Sequence, residues 1–333
     1  MADGTTTYGD INQRTAGFAA ADMLRHSEPW LILSKMGMTK PLPKNKAETM
    51  KFRRAIPLAP ATTPVVEGVT PTAQKILYED VSVTLKQYGR PIEITDKVTE
   101  LSEDPVMDTA TMLAGEQAGG TIEQVLYGVL KAGTNVFYAN GASRAAVNTV
   151  VTLNKQRAVT RALAAQKALK MTRMLKSGPE YGVSAVEAAY IAVAHTDVDS
   201  DIRNLVGFIP VAKYGNRQPI SEHEIGSVEQ VRYVLSPDLA PFADAGGLDG
   251  NVVLSTTGTN ADVYPILIFG QDAFAQVPLK GEEAIVPMVL NPGTPSKSDP
   301  MGQRGYVSWK AWYAAVILND LWMARLEVAV SVL

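Results

Sequence analysis

A chain of 333 residues is long enough to bury a sizeable core and to divide into two lobes without covalent staples. It has no cysteine, which excludes disulfides, thiolate metal sites and a cysteine nucleophile. A formal charge of -3 and a pI near 5.7 argue against a protein whose main task is to neutralise phosphates.

The opening stretch MADGTTTYGDINQRTAG has neither the basic leader nor the apolar run of a signal peptide, so the mature start is expected at or near Met1. The apolar stretch Trp312 to Leu318 is far shorter than the roughly 20 residues of a membrane helix. A soluble intracellular product with no membrane contact is expected. Residues 1–45 read as an arm, with a helical pattern around Ala16 to Arg25, an apolar knot from Trp30 to Leu33, and Pro41 and Pro43 enforcing an extended path. Such an arm must dock, more naturally on a neighbouring subunit than on its own chain.

Residues 46–96 read as an extended β-hairpin. MKFRRAIPL leads into the Pro-, Thr- and Gly-rich centre APATTPVVEGVTPTAQ, and a longer strand pattern follows from Ile76. Val81, Val83 and Leu85 alternate with polar residues, whereas Ile92 and Ile94 fall on the opposite parity. A bulge at Gly89 is expected to absorb the slip. A lone two-stranded hairpin is marginal in water, so this one needs support from outside itself.

SEDPVMD then opens a long helix, with Ser102 as N-cap, Glu103 and Asp104 at the positive end of the dipole and Pro105 in the first turn. Val106, Ala110, Leu113, Ala114, Ala118, Ile122, Val125, Leu126 and Val129 give a helical stripe running to about Ala132, a rod of roughly 40 Å. Gly115, Gly119 and Gly120 suggest close packing or a kink. A second helix from about Asn154 to Lys176 is expected to pack on this rod, completing a region of residues 97–189. From 190 to 300, AAYIAVAH, GFIPVAKY, VRYVLS, NVVLSTT and VYPILIFG predict strands of a separate lobe. Residues 301–333 predict a closing β-hairpin, YVSWKAWYAAVIL and LWMARLEVAVSVL about a turn at Asn319 and Asp320. The fold class is α+β.

No constellation points to catalysis. His26, His195 and His223 have no metal-binding spacing, and HEXXH, Walker A and nucleophile-elbow patterns are absent. Asp197, Asp199 and Asp201 imitate the start of a calcium loop, but the sixth and twelfth positions are Ile202 and Phe208. A loop entering a helix is the better reading. Glu282 and Glu283 are adjacent and would point to opposite faces of a strand. Ser143, Arg144 and Ser255 lack a visible partner base. No catalytic residue, cofactor or metal is assigned. Lys40, Lys44, Lys46, Lys51, Arg53 and Arg54 form a basic run opposed only by Glu48, either a solvated face or a contact for an acidic neighbour or nucleic acid.

The order of arm, long hairpin, rod helix, irregular lobe and closing β-hairpin resembles the major capsid proteins of tailed bacteriophages, a fold shared with encapsulins. VVEGVTPT (Val65 to Thr72), LKQYGRPIEITD (Leu85 to Asp96), TIEQVLYGVLKAGTNVFYANG (Thr121 to Gly141), AHTDVDSDIRNLVGFIPVAKYG (Ala194 to Gly215), EHEIGSVEQVRYVLS (Glu222 to Ser236) and GYVSWKAWYAAVILND (Gly305 to Asp320) carry a likeness to the N-four-like branch. The resemblance implies an N-arm, an extended loop, a spine helix, and peripheral and axial lobes. It implies a non-enzymatic shell protein of the virion, assembling in the host cytoplasm as pentamers and hexamers of an icosahedral shell around double-stranded DNA. A portal and a decoration protein belong to the implied partners, and the short N-terminal region implies a separate scaffolding protein. The alternative is a bacterial nanocompartment shell. The residues nominated for contact between subunits are Lys51, Arg53, Arg54, Glu67, Gly68, Glu103, Asp104 and Glu116, with the basic hairpin residues lying near acids on an adjacent spine helix.

Overall fold

The computed structural model describes residues 5–6, 31–102, 105–171, 188–215, 218–280, 286–293, 295 and 299–333. The helical pattern expected around Ala16 to Arg25 therefore lies outside the described residues, as do His26, Glu103, Asp104, Glu282 and Glu283. In chain order the elements are β1 (Thr5–Thr6), β2 (Met38–Thr39), β3 (Thr49–Ala55), β4 (Tyr78–Thr84), β5 (Lys86–Thr95), α1 (Asp96–Leu101), α2 (Val106–Lys131), β6 (Val136–Tyr138) and α3 (Leu153–Ala165). There follow β7 (Tyr190–His195), α4 (Asp199–Arg203), β8 (Phe208–Pro210), β9 (Glu224–Val228), β10 (Val231–Ser236), β11 (Tyr264–Phe269), β12 (Phe274–Pro278), β13 (Val286–Leu290), β14 (Arg304–Ile317) and β15 (Met323–Val328). The class is α+β, as the alternation of strand and helix patterns implies.

Among the described residues the strands form two sheets and a separate ribbon. One sheet runs β1-β5-β14-β12-β2, with β13 also on β14; the other runs β6-β15-β11-β7-β10-β9-β8; β3 and β4 pair only with each other. The long strand β14 organises the first sheet, holding β5 along one edge and β12 and β13 along the other. Its inward residues Val307, Trp309 and Ala311 meet Ala110, Ala114 and Ala118 of α2. These alanines recur every fourth residue and bring the helix axis close to the sheet. Farther along, Leu126, Tyr127 and Leu130 enter a cluster with Ile191, Leu267 and Phe274, which come from both sheets. One 26-residue helix, about 39 Å long, thus braces both sheets.

Several local expectations give way to tertiary pairing. The parity slip in the hairpin is not a bulge at Gly89, because β5 pairs with β14 in unbroken register from Lys86 to Thr95. The slip falls between β4 and β5, where the chain changes partner from β3 to β14 and buries Leu85. Gly89 serves another purpose: a Cβ there would stand 2.5 Å from the Trp309 carbonyl oxygen. Ser102 ends α1 instead of capping α2, and Pro105 occupies the N-cap of α2 with no side-chain capping bond. The second helix stops at Ala165, followed by Lys167 in a left-handed conformation (φ 56°), and packs Val159 and Leu163 into the core of the seven-stranded sheet, away from the rod. NVVLSTT forms turns, with an isolated bridge from Val253 to Ser331.

The largest departure concerns the last 33 residues. β14 and β15 do not pair as a hairpin: β14 belongs to the six-stranded sheet, and β15 lies between β6 and β11 in the seven-stranded one. The turn at Asn319 and Asp320 carries the chain from one sheet to the other. β12 and β13, expected with the axial lobe, join the six-stranded sheet, whereas β6 joins the seven-stranded one. Strands β7, β11 and β15 are buried along their whole length apart from half-buried His195; the near-continuous apolar runs of β7 and β11 carry no face-specific pattern to reveal which sheet they enter, and in β15 the alternation of Arg325 and Glu327 with Ala324, Leu326 and Val328 marks its faces but not its partner strands.

The close approach at Gly89 has a measurable consequence. Gly89→Ala pushes a methyl group into the backbone of β14 and is expected to cost about 1–3 kcal/mol, seen as a lower denaturant midpoint with an unchanged m-value.

Candidate intersubunit contact surface

The surface begins with the ribbon β3–β4, in which Met50 faces Val83 and Phe52 faces Val81. Of these, Met50, Phe52 and Val83 pack, with Leu279 and Trp312, around buried Leu42, Leu85, Val277 and Ala314. That is the hairpin's root. Beyond Ile56, whose N–H bonds to the Leu77 carbonyl at 2.9 Å, the two limbs leave the ribbon and run out to a tip. The tip is a turn over Val66 to Val69, closed by the Val69 N–H on the Val66 carbonyl at 3.1 Å. Gly68 occupies its third position with φ 79°, where a side chain would strain the backbone, and Glu67 precedes it in solvent.

Between root and tip the hairpin presents Ile56, Leu58, Val65, Val66, Val69, Ile76, Leu77 and Tyr78, each 45 to 72% exposed. Apolar residues concentrated on one projection are the mark of a surface that is covered in use. Leu101 of α1 and Met112 and Leu113 of α2 are exposed apolar residues as well.

The nominated charges divide. Lys51, Arg53 and Arg54 all lie on β3, but the two arginines are already occupied within the chain. Arg53 grips Asp80 through Nε at 2.7 Å and a terminal nitrogen at 2.9 Å, and Arg54 pairs with Glu79 at 2.6 Å. Register places each acid opposite its arginine, so these are cross-strand pairs. The hydrogen-bonded guanidinium holds the Asp80 carboxyl below its ordinary value despite solvent exposure. Glu116 sits half-buried on α2 and the structure does not bring it to these arginines.

Two buried carboxylates that the sequence reading passed over fix the frame around this surface. Glu123, 1% exposed on the inner stripe of α2, accepts the backbone N–H groups of Ile32 (3.0 Å), Leu33 (2.6 Å) and Ser34 (3.1 Å). It thereby caps the 3-10 turn Leu33–Lys35 from another element, and Gln276 bonds the Ser34 carbonyl. Burial raises the carboxyl pKa, and the amides pull the other way. Glu327, fully buried in β15, takes a bidentate bond from Arg144 (2.9 and 2.7 Å) and an ion pair from Arg325 at 2.8 Å. Arg144 also stacks 3.4 Å from the Phe242 ring centre, with Lys131 at 3.8 Å. A carboxylate within an otherwise apolar stripe, as in Gly119, Glu123, Leu126 and Leu130, was the signal available for Glu123.

The residues weighed for chemistry have structural partners. Asp197 accepts from the Tyr264 hydroxyl at 2.8 Å, Asp199 pairs with Arg203, and Asp201 binds the N–H and hydroxyl of Ser331. The three acids point to different places and do not converge. Ser255 donates to the Gly258 carbonyl, and Arg144 is committed to Glu327. Among the described residues no helix is long and apolar enough to cross a membrane.

With this geometry in view, comparison with known proteins is decisive about family. The phage capsid protein family matches residues 78–326, three-quarters of the chain, and the chain belongs to that family. A major capsid protein of Pseudomonas phage KPP21 is 25% identical over 130 residues, a match covering 36% of this chain and 32% of that protein. Among solved structures, the capsid of Ralstonia phage GP4 aligns over 96% of this chain and 99% of its own at a TM-score of 0.63 and 12% identity. The capsid of cyanophage Pam1 aligns over 99% and 100% at 0.62 and 14%. The fold is that of tailed-phage major capsid proteins.

Glu123→Ala leaves its amide donors unsatisfied in the core and is expected to cost about 3 kcal/mol. Amide hydrogen exchange should then accelerate at Ile32, Leu33 and Ser34 well before the rest of the chain. Because the folded carboxyl is raised above 4.5, its ionisation disfavours the folded state: the contribution is full below that value and is lost as pH rises through the folded pKa. The stability difference between the native chain and Glu123→Gln should accordingly shrink from about pH 4.5 upward, measured by urea denaturation across pH.

Proposed function

We propose that the chain is the repeating subunit of a phage head of the N-four-like branch, arranged as pentamers and hexamers of an icosahedral shell around double-stranded DNA. The observation that carries this reading is the projecting hairpin, whose apolar side chains from Ile56 to Tyr78 stand exposed, without cover among the described residues. A subunit in isolation would leave that surface in water at about 25 cal/mol for each Å². A neighbouring copy covers it: the hairpin lies over the adjacent spine helix, against Leu101, Met112 and Leu113, and places Lys51 near Glu103, Asp104 and Glu116. Glu67 and Gly68 form the leading edge of the contact. Family membership and the likeness in fold to the capsids of Ralstonia phage GP4 and cyanophage Pam1 support the same reading.

Arg53 and Arg54 then have a different duty from the one first assigned. Their pairs with Asp80 and Glu79 hold the two limbs in register, so that the tip is presented at a defined height. The subunit works by contact and performs no catalysis. A separate scaffolding protein and a portal guide assembly in the host cytoplasm, packaged DNA meets the inner face, and a decoration protein binds outside.

Replacing residues 57–76 by Asn-Gly removes the apolar limb and closes the ribbon with a favoured two-residue turn. Co-expressed with the scaffolding protein of its locus, the native chain should give closed shells by cryo-electron microscopy. The shortened chain should remain a folded monomer by circular dichroism and sedimentation; closed shells from it overturn the reading. Arg53→Asp alone places like charge opposite Asp80 and should cut shell yield several-fold. Combining it with Asp80→Arg restores the pair and should recover most of the yield.

A further inference from the structure

Acidic residues are unevenly placed along this chain: from Gln124 to Pro179 it has no Asp or Glu but nine Lys and Arg, against a net charge of -3 overall. Segregation of that kind marks a surface for a polyanion even where the whole chain is acidic. Lys131 and Arg144 are committed around Phe242 and Glu327, and Arg173 and Lys176 lie outside the described residues. The other five stand on α3 and the turn after it. The helix buries Gln156, Val159 and Leu163 against the seven-stranded sheet, so Asn154, Arg157, Arg161 and Ala165 face outward. Arg157 and Arg161 are one turn apart, about 6 Å along the axis, and exposed Lys167 follows where the helix ends. Half-buried Lys155 and Lys170 flank the row.

Glu229 pairs with Arg157 at the start of the row. Asp272 and Asp320 come to its end, where the Gln271 N–H bonds the Leu169 carbonyl and the Trp322 indole bonds the Gln166 carbonyl, but Asp320 is turned onto the Thr134 amide. Asp197, Asp199 and Asp201 lie beyond the far end of β7, roughly 20 Å from Tyr190, over whose ring Lys170 sits. Lys155, Arg161, Lys167 and Lys170 make no ion pair among the described residues. Between the cations the outward face carries small or amide side chains, Asn154, Ala165 and Gln166, with no aromatic residue to stack on bases and Leu169 as its exposed apolar group. A straight row of cations without a pocket fits a stiff, regularly charged rod better than a folded protein.

We infer that the outward face of α3 binds the phosphate backbone of double-stranded DNA without reading its sequence. The partner rests on the shell reading, in which the chain encloses DNA; the contact is measured without shells, so either can fail while the other stands.

The probe is a fluorescein-labelled duplex of mixed sequence, about 20 base pairs long, titrated with the unassembled full-length chain and followed by fluorescence anisotropy. Saturable binding is expected at about 50 mM salt, weakened about a hundredfold at about 200 mM, as three to four phosphate contacts imply. Arg161→Gln with Lys167→Gln replaces exposed side chains and should weaken binding about tenfold and lower the salt slope by about two. Lys40→Gln with Lys46→Gln removes equal charge from the basic run before the hairpin and should leave affinity within about twofold. An equal loss there, or indifference to the α3 variant, overturns the proposal. Tighter binding of a single strand of the same length also overturns it. Poly-glutamate serves as competitor: if it displaces the duplex at equal charge concentration, the face takes an acidic protein and the DNA assignment falls.

Discussion

Helix α2 lies flat along β14 because Ala110, Ala114 and Ala118 present side chains small enough to let a rod of 26 residues approach the sheet without a gap. Everything else is set relative to that contact. Strand β14 fixes β5 on one edge and β12 and β13 on the other, and β5 delivers the chain directly from the projecting hairpin. The C-terminal half of the same helix reaches the second sheet through Leu126, Tyr127 and Leu130. A larger residue at any of the three alanines would lift the helix and disturb both sheets at once, since interiors have little slack to absorb added volume.

Buried charge then fastens the parts that apolar packing leaves adjustable. Glu123 holds the turn at Ile32 to Ser34 against the spine, and Glu327 gathers Arg144 and Arg325 where β15, the loop after β6 and the end of α2 meet. Glu224 accepts from the Tyr214 hydroxyl and the Ile220 amide, closing the loop before β9. Each carboxylate has lost its water and recovers the loss only through directional bonds, so its value lies in specifying one arrangement. The hairpin is treated differently. Its root is apolar and its limbs are tied by exposed Arg53 and Arg54 pairs, which keep the register of a ribbon that no other strand supports.

The rod helix, the hairpin and its glycine tip were legible because each declares itself locally. Ala110, Ala114 and Ala118 repeat at helical spacing, and VVEGVT has the residues of a tight turn. The basic residues Lys51, Arg53 and Arg54 were also visible, but their partners were not. Asp80 and Glu79 lie 27 and 25 residues downstream of their arginines, and only the β3–β4 register sets them opposite. The slip of parity near Gly89 was real as a pattern. Its cause was a change of pairing partner at Leu85, which no single-strand pattern can distinguish from a bulge.

By itself, then, the sequence determined the α+β class, the long helix, the hairpin strands before it, and the likeness to tailed-phage capsid proteins. These follow from periodicity and punctuation, which are properties of neighbouring residues. The tertiary structure decided that β14 and β15 part company into different sheets, that α3 serves the seven-stranded sheet, and that Glu123 and Glu327 are anchors. Strands buried on both faces, such as β7 and β11, carry no alternation to mark their neighbours, and a buried carboxylate is satisfied by groups up to 183 residues away in sequence. Which partner each finds is settled only when the whole chain closes around it.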